Sequence, residues 1–476
     1  MIDNGYLFAK DNKRLFINPS IGCTSKCQYC YLPKLGIKNV KRKTFNEIIE
    51  MLNKSSYKLS KNTLITLGCF SECFDESNKE ETLKIIKYFL KKGNQIQIST
   101  KKQISYNDIK NIISLIKYYG QLTIYISSST ITNYEKYEKG TESPSSRFKT
   151  FDLINYNIPV VLYIKPVIQD ITIQDIELYK KIIKEKGISH VVIGSLFTED
   201  KNNESAPFTS TDKLFYTKCI DEELIIKELT SITKVWQRST EVIKYLKNNF
   251  QIIAKVQKEV NNLLKEDKSG HNMEHINRVY NMSLKFAHYE NADEFIVSLI
   301  ALLHEVDDYK LFGEENANNL PNAKKIMQNS KIDSEIQDKV LDSIKTIGYK
   351  KSLKGMRPNS IEGMIVSDAD MCDGIGVTGI LRTYDYQKAH GKPFLDKTIF
   401  PNSEIDASTY KIYDDSVVCH CFNKLLRLKN LMMTNSGRKE ATNRHNIIVS
   451  ILYNLFTEEN VPEWTEYLNN FLNSNK

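Results

Sequence analysis

No apolar run in this chain of 476 residues approaches the roughly 20 residues that a bilayer span requires. The N-terminal stretch MIDNGYLFAKDNKR has no apolar core, because Asp3, Lys10 and Asp11 interrupt it, so a secretory signal is not expected either. These absences exclude a membrane protein and point to the cytoplasm. No internal repeat or low-complexity tail is visible, and the apolar content of 41% with 26% charged residues is that of an ordinary globular protein of two or three domains. The net charge of +8 comes from lysines spread along the whole chain, which reads as a solvated surface rather than a nucleic-acid face. What the chain does have is nine cysteines. A reducing compartment leaves little use for disulfides, and three of the nine fall between positions 23 and 30, which points to metal or redox chemistry.

Short β-branched runs at 14–19, 63–67, 95–100, 122–127, 160–165 and 190–194 alternate with amphipathic stretches such as ETLKIIKYFLKKG and LYKKIIKEKG, the latter two closing on Gly93 and Gly187 as helix C-caps. Strands separated by helices imply parallel pairing, hence an α/β fold, and six such units predict a partial (β/α)6 TIM-like barrel over 1–215, with chemistry at the C-terminal ends of the strands. Beyond the polar loop TEDKNNESAPFTSTDK the periodicity turns helical: a helical linker over 216–250 and an all-α domain over 251–476 are expected.

The stretch GCTSKCQYCYLPK sets Cys23, Cys27 and Cys30 at C-x3-C-x2-C spacing just after the first strand. A structural zinc needs a fourth ligand, for which Cys69 and Cys73 lie one strand later. A thioredoxin-type pair uses two thiols and leaves Cys23 over. Three thiolates can hold three irons of a [4Fe-4S] cluster and leave the fourth iron for a small molecule. The motif, with Tyr29 before the last cysteine and six βα units around it, resembles the radical S-adenosylmethionine (SAM) superfamily. That resemblance implies a [4Fe-4S] cluster on these three cysteines, SAM on the unique iron, cleavage of SAM to a 5′-deoxyadenosyl radical, and an electron donor of flavodoxin or ferredoxin type.

Within that superfamily the chain looks most like the group of spore photoproduct lyase and DNA repair photolyase-like proteins, through Cys30-Tyr31, GCFSE at 68–72, the Ser99-Thr100-Lys101 strand end, Glu142-Ser143-Pro144 with Arg147, and YIKPVI. The resemblance implies SAM contacts from Tyr29, Ser71, Glu72, Lys101 and Arg147, and a hydrogen-donating catalytic role for Cys69, whose alternative is a buried, inert thiol. Cys73 and Cys219 are candidates for an auxiliary cluster. The basic run KNVKRK at 38–43 is a solvated loop or a phosphate contact.

In the helical half, SGHNMEHINRVYNMSLKFA places His271 and His275 one turn apart, SLIALLHEVDDYK gathers His304, Glu305, Asp307 and Asp308, and VSDADMCDGIG offers Asp368, Asp370 and Asp373. Histidine and carboxylate ligands suit a divalent Mn, Mg or Fe ion. These segments resemble the HD phosphohydrolase superfamily. The resemblance implies metal ligands His275, His304, Glu305 and Asp370, with Glu305 standing where the family has Asp, a catalytic Asp308, and phosphate contacts from Lys310, Lys424, Lys429, Arg438 and Arg444. His420 reads as a satisfied core histidine. The sequence thus predicts a radical SAM enzyme acting on a nucleotide, nucleoside or nucleic acid and joined to a metal-dependent phosphohydrolase. The alternative is a nucleotide-sensing, non-hydrolytic helical domain beside a radical enzyme that modifies a peptide or small metabolite.

Overall fold

A computed structural model describes residues 2–156, 158–198, 204–205, 214–265, 273–401 and 415–474, and His271 lies outside them. The chain divides into two compact units, 1–250 and 251–476.

The first unit is built on one nine-stranded sheet: β1 (Ile2–Asp3), β2 (Leu7–Ala9), β3 (Arg14–Ile17), β4 (Leu64–Leu67), β5 (Ile96–Thr100), β6 (Leu122–Ser127), β7 (Val160–Ile164), β8 (His190–Ile193) and β9 (Lys234–Trp236), adjacent in that order. The first two pair antiparallel, and β3 through β9 are all parallel. Parallel neighbours in chain order require a crossover each time, and α1 (Phe45–Lys54), α2 (Lys79–Lys92), α3 (Tyr106–Ile113), α4 (Ile176–Lys186) and α5 (Ile220–Thr230) fall between successive strands. Helix α1 starts on a capping box of Thr44 and Glu47, and α2 and α4 stop at Gly93 and Gly187 in left-handed conformation. The six expected strands occupy their expected positions. The expectation of a helical linker over 216–250 is corrected: this segment contributes α5 and a seventh parallel strand, β9, to the first unit.

Strand alternation decides what each face of the sheet carries. Leu15, Ile65, Ile98, Ile124, Leu162 and Val191 point one way, into a core shared with Ile85, Phe89, Ile112, Ile183 and Ile225 of the helices. On the other face, Leu64, Tyr125, Val161 and Val192 pack on Val242, Ile243 and Leu246, from the first turns of α6 (Ser239–Leu264). Near the C-terminal ends that second face turns polar, and there the cavity opens.

The second unit is helical among its described residues. Its core joins Ile276, Val279 and Phe286 of α7 (Met273–Glu290), the fully buried run of α8 (Glu294–Leu303), Val366 and Ala369 of α9 (Ile361–Asp373), and Ile448 and Leu452 of α10 (Asn435–Glu458). Among the described residues no helix is long and apolar enough to cross a membrane.

Candidate functional site

The loop from β3 to α1 carries the three clustered cysteines. It is pinned on both sides: Lys26–Cys27 pairs antiparallel with Glu138–Lys139, and Ser20–Ile21 with Lys41–Arg42. Gly22, at φ +93°, brings the backbone so close to Asn39 that a Cβ would stand 2.5 Å from its carbonyl oxygen, so only glycine fits the entry to the loop. Cys23, Cys27 and Cys30 all line one cavity of ≈ 240 Å³ at the C-terminal ends of the strands. Its floor is the polar half of the strand alternation, with Arg14, Thr66, Gln97, Ser99 and Tyr163. Arg14 is held there by Nε to Thr66 Oγ1 at 2.9 Å and Nη2 to Gln97 Oε1 at 3.3 Å. Among the described residues the three thiols do not form a group with all ligand atoms within 4.8 Å of one another. A tetrahedral zinc would bring its sulfurs to about 3.8 Å from one another, a convergence the three thiols do not show; three cysteine thiolates are the chemical donor set of an iron-sulfur cluster with one iron left open.

Burial raises the pKa of all three thiols, Cys27 to about 11 with Lys101 partly opposing, so without a metal they stay protonated. Cys69, at the end of β4, also lines the cavity, and burial pushes its thiol to about 11 against the pull of Arg14 and Lys165. Ser71, Glu72 and Lys101 line it too. Glu72 is already employed: its carboxylate accepts from the Thr100 hydroxyl and from the backbone N–H groups of Phe74 and Lys101 at 3.1 and 2.8 Å, tying two strand ends together. Lys101 donates to Ser127 Oγ and stands 3.7 Å from Glu138. Glu138 is fully buried and also takes the Tyr29 hydroxyl. Burial would raise its pKa, but Lys101 and Arg147 outweigh that and hold it below the usual carboxylate range.

Arg147 is where the structure departs from expectation. It is completely buried, pairs with Glu138 at 2.6 Å, donates to the carbonyls of Ser127 and Glu142, and is absent from the cavity lining. Its guanidinium neutralises Glu138, whose strand pairs with the cysteine loop. Cys73 is buried and donates to the Ser99 carbonyl at 3.5 Å, Cys219 sits at the start of α5, and the two form no metal group among the described residues. The basic run stays at the surface: Arg42 donates to Ser77 and Lys43 pairs with Glu47.

The second site lies in the helical unit. His275 on α7, His304 and Glu305 just after α8, and Asp370 on α9 bring one ligand atom each to within 4.8 Å of one another. Nε2 of His275 is 3.3 Å from Nε2 of His304 and 3.5 Å from Asp370, and Glu305 Oε1 is 3.6 Å from both rings. Each ring is aimed by its other nitrogen. His304 Nδ1 lies 2.8 Å from the Ala301 carbonyl, which forces Nδ1 to carry the proton and leaves Nε2 as the donor atom, while His275 Nδ1 is 2.8 Å from Asp373. Burial pulls the His275 pKa down, but Asp373, Glu305 and Asp370 outweigh it and hold it up at about 9. Two imidazoles, each with a fixed outer partner, and two carboxylates fit a hard or borderline divalent ion.

Residues 17–183 match the model of the radical SAM superfamily. The first unit carries a radical SAM domain. Over 231 residues the chain is 31% identical to the uncharacterized protein YpgQ of Bacillus subtilis, covering 46% of this chain and 97% of YpgQ, and over that span it belongs to the YpgQ family. Among solved structures it is similar to an HD-superfamily hydrolase of Bacillus thuringiensis, at 31% identity and TM-score 0.37 over 45% of this chain and 99% of that one. A spore photoproduct lyase complexed with dinucleoside spore photoproduct aligns at 12% identity and TM-score 0.36, over 48% of this chain and 78% of that one.

The acidic residues around the metal group separate by task. Asp307 accepts from the N–H groups of Asn322 and Ala323, and Asp308 from that of Lys310 at 2.9 Å, so both cap helices. Asp368 is buried and receives the N–H groups of Met433 and Thr434 before α10. Asp308 is not one of the four converging residues. Of the expected phosphate contacts, Arg444 bonds the Cys372 carbonyl and Glu440, and Arg438 the Met433 carbonyl and Asn435. Lys429 acts on the His445 ring, whose pKa burial and this neighbouring charge lower to about 4. Lys310 and Lys424 lie over the rings of Tyr309 and Tyr349. Sequence reasoning missed three basic residues. Arg278 and Arg382 both bond Asp373, and Lys351, its pKa lowered by burial, feels Asp308, Glu305 and Asp370. Nothing in GYKKSLK distinguishes Lys351 from its neighbours.

Proposed function

We propose that the radical SAM domain holds a [4Fe-4S] cluster on Cys23, Cys27 and Cys30, takes SAM beside it, and abstracts hydrogen from a nucleotide, nucleoside or nucleic-acid substrate, and that the helical unit is an HD-type domain binding Mn, Mg or Fe and cleaving phosphoesters. The observation that carries the reading is the opening of all three clustered thiols into one cavity at the strand ends. When bound, the cluster and SAM supply an electron and a carbon-centred radical. The chain's own part is to place the substrate. Thr66, Gln97 and Ser99 offer hydrogen-bonding groups on the cavity floor, and Lys101, held by Glu138 and Ser127, adds a fixed ammonium to the lining. Cys69 keeps its proton at neutral pH and so retains an S–H bond from which a hydrogen atom can return to the substrate.

In the helical unit, His275, His304, Glu305 and Asp370 would hold the metal, which supplies Lewis acidity toward a phosphate. Lys351, close to the same carboxylates, offsets the negative charge that a phosphate brings. One observation favours a second reading for this half. Glu305 carries an extra methylene relative to the Asp of the HD superfamily it resembles, and a metal site built around the longer carboxylate suits nucleotide sensing better than hydrolysis. The enzyme would work in the cytoplasm with a flavodoxin- or ferredoxin-type reductant.

Anaerobic reconstitution followed by assay of 5′-deoxyadenosine with SAM and dithionite tests the first half. The full chain should produce it, Ala at any of Cys23, Cys27 or Cys30 should not, and a colourless zinc-loaded protein would end the reading. Incubating the full chain with Mn and nucleoside triphosphates separates hydrolase from sensor by release of phosphate or pyrophosphate.

A further inference from the structure

The side of the cavity beside Cys69 carries an arrangement that cluster and SAM binding do not require. Lys165 follows β7 on the inner face, and its stem runs across Gly194: a Cβ there would meet Lys165 Cδ at 2.6 Å and Cε at 3.0 Å. The missing side chain is therefore the slot in which this lysine lies. Beyond the slot its ammonium stands 4.5 Å from the ring centre of Tyr216 and 5.5 Å from that of Phe197. Those two rings are cross-strand partners of a small antiparallel sheet, Leu196–Thr198 with Phe215–Thr217, and stack with centroids 5.1 Å apart. Tyr31 meets Phe197 edge-on at 5.0 Å and sends its hydroxyl to the Cys69 carbonyl. Lysine, aromatic wall and Cys69 all line the same cavity. Among the described residues the charged side chains lining the cavity are Arg14, Lys101, Lys165 and Arg238, with Glu72, which joins strand ends; Lys101 is paired with Glu138 and Arg14 is bonded to Thr66 and Gln97.

We propose that Lys165, set in the Gly194 slot against Phe197 and Tyr216, forms a subsite for the phosphate of a substrate whose planar ring lies along the aromatic wall, so that a nucleotide rather than a nucleoside is bound with its reacting carbon toward Cys69. This rests on the reading of the cavity as the substrate site of the radical SAM domain and adds the charge and class of that substrate. A fixed ammonium beside stacked rings recognises a phosphate-bearing base by charge and by face contact together, which neither inorganic phosphate nor a neutral nucleoside satisfies alone.

The test reads the cavity locally, through protection of Cys69. The full chain with its cluster reconstituted is treated with methyl methanethiosulfonate without oxygen, and modification of Cys69 is followed by mass spectrometry against increasing thymidine 5′-monophosphate, thymidine or inorganic phosphate. Thymidylate should protect at a concentration at least about tenfold below thymidine, a difference of about 1.4 kcal/mol, and inorganic phosphate should protect weakly. Lys165→Met should bring thymidylate to the level of thymidine, and Lys165→Arg should keep most of the preference. Gly194→Ala, which keeps the charge but fills the slot, should also lose it, so the result does not depend on one variant folding. Equal protection by thymidylate and thymidine in the unaltered protein, or a preference that survives Lys165→Met, overturns the proposal. Because the readout needs no turnover, failure here is distinct from failure to cleave SAM.

Discussion

Asp373 Oδ2 lies 2.8 Å from Nδ1 of His275, on the side of the ring away from the metal group, and the same carboxylate is gripped by Arg278 at 2.7 Å and Arg382 at 2.9 Å. The two arginines fix the carboxylate, the carboxylate fixes the ring, and the ring's Nε2 is thereby aimed at Glu305, Asp370 and His304. Outer partners of this kind typically contribute 10- to 100-fold, in order of magnitude, to metal affinity. Asp373→Asn should therefore weaken Mn binding by roughly 10- to 100-fold while leaving the four ligands in place, as read by titrating the free-ion electron paramagnetic resonance signal of Mn. An unchanged affinity would show that the ring is held by packing alone.

Glu305 makes a sharper demand. Its Oε1 is 3.6 Å from Nε2 of both histidines, so the longer side chain delivers its oxygen into the group rather than past it. Shortening it withdraws that oxygen by roughly one C–C bond, about 1.5 Å. Glu305→Asp should then bind Mn more weakly than the unaltered protein, and Glu305→Ala should lose more than the roughly 100-fold expected for an outer partner. If Glu305→Asp bound the metal as tightly or more tightly, the backbone around position 305 would be set for the shorter residue after all.

Arg147 and Glu138 form an ion pair with both side chains entirely out of solvent. Removing one member of such a pair strands the other, at a cost of about 3–5 kcal/mol. Arg147→Met should lower the unfolding free energy of the protein by that order, and adding Glu138→Gln should recover part of it. A SAM contact would behave differently: SAM affinity would fall with stability unchanged. Denaturant melts of the cluster-free protein, with and without the second substitution, distinguish the two.

Much of the fold was legible because six strands announce themselves as β-branched runs closed by helices with glycine caps. The seventh was not, since Lys234–Trp236 is three residues long and sits inside a helix-like pattern, and only pairing with His190–Val192 makes it a strand. In the helical half the metal group could be suspected from histidines and acids at motif spacing. What the sequence could not do was sort Asp307, Asp308, Asp368, Asp370 and Asp373. Capping a helix, holding a histidine and binding a metal all use a carboxylate, and only the third dimension says which N–H or ring it meets. Arg147 raises a related ambiguity: a guanidinium serves a buried carboxylate as well as a bound ligand.

The Cys69 thiol gives the pH test. Burial raises its pKa from the ordinary cysteine range to about 11, and Arg14 and Lys165 only partly offset this. Disfavouring the charged form keeps the hydrogen on sulfur across neutral pH, which is the state a hydrogen-atom donor needs and the opposite of what a nucleophile needs. Thiolate is what reacts with iodoacetamide, so the modification rate of Cys69 should climb about tenfold per pH unit from 7 to 10 and level off only near 11. A cysteine at the ordinary value would level off near 9. Measured by mass spectrometry on cluster-loaded protein, in which Cys23, Cys27 and Cys30 are occupied, an early plateau would mean that Cys69 is a solvated thiol, and the hydrogen-donor role would lose its physical basis.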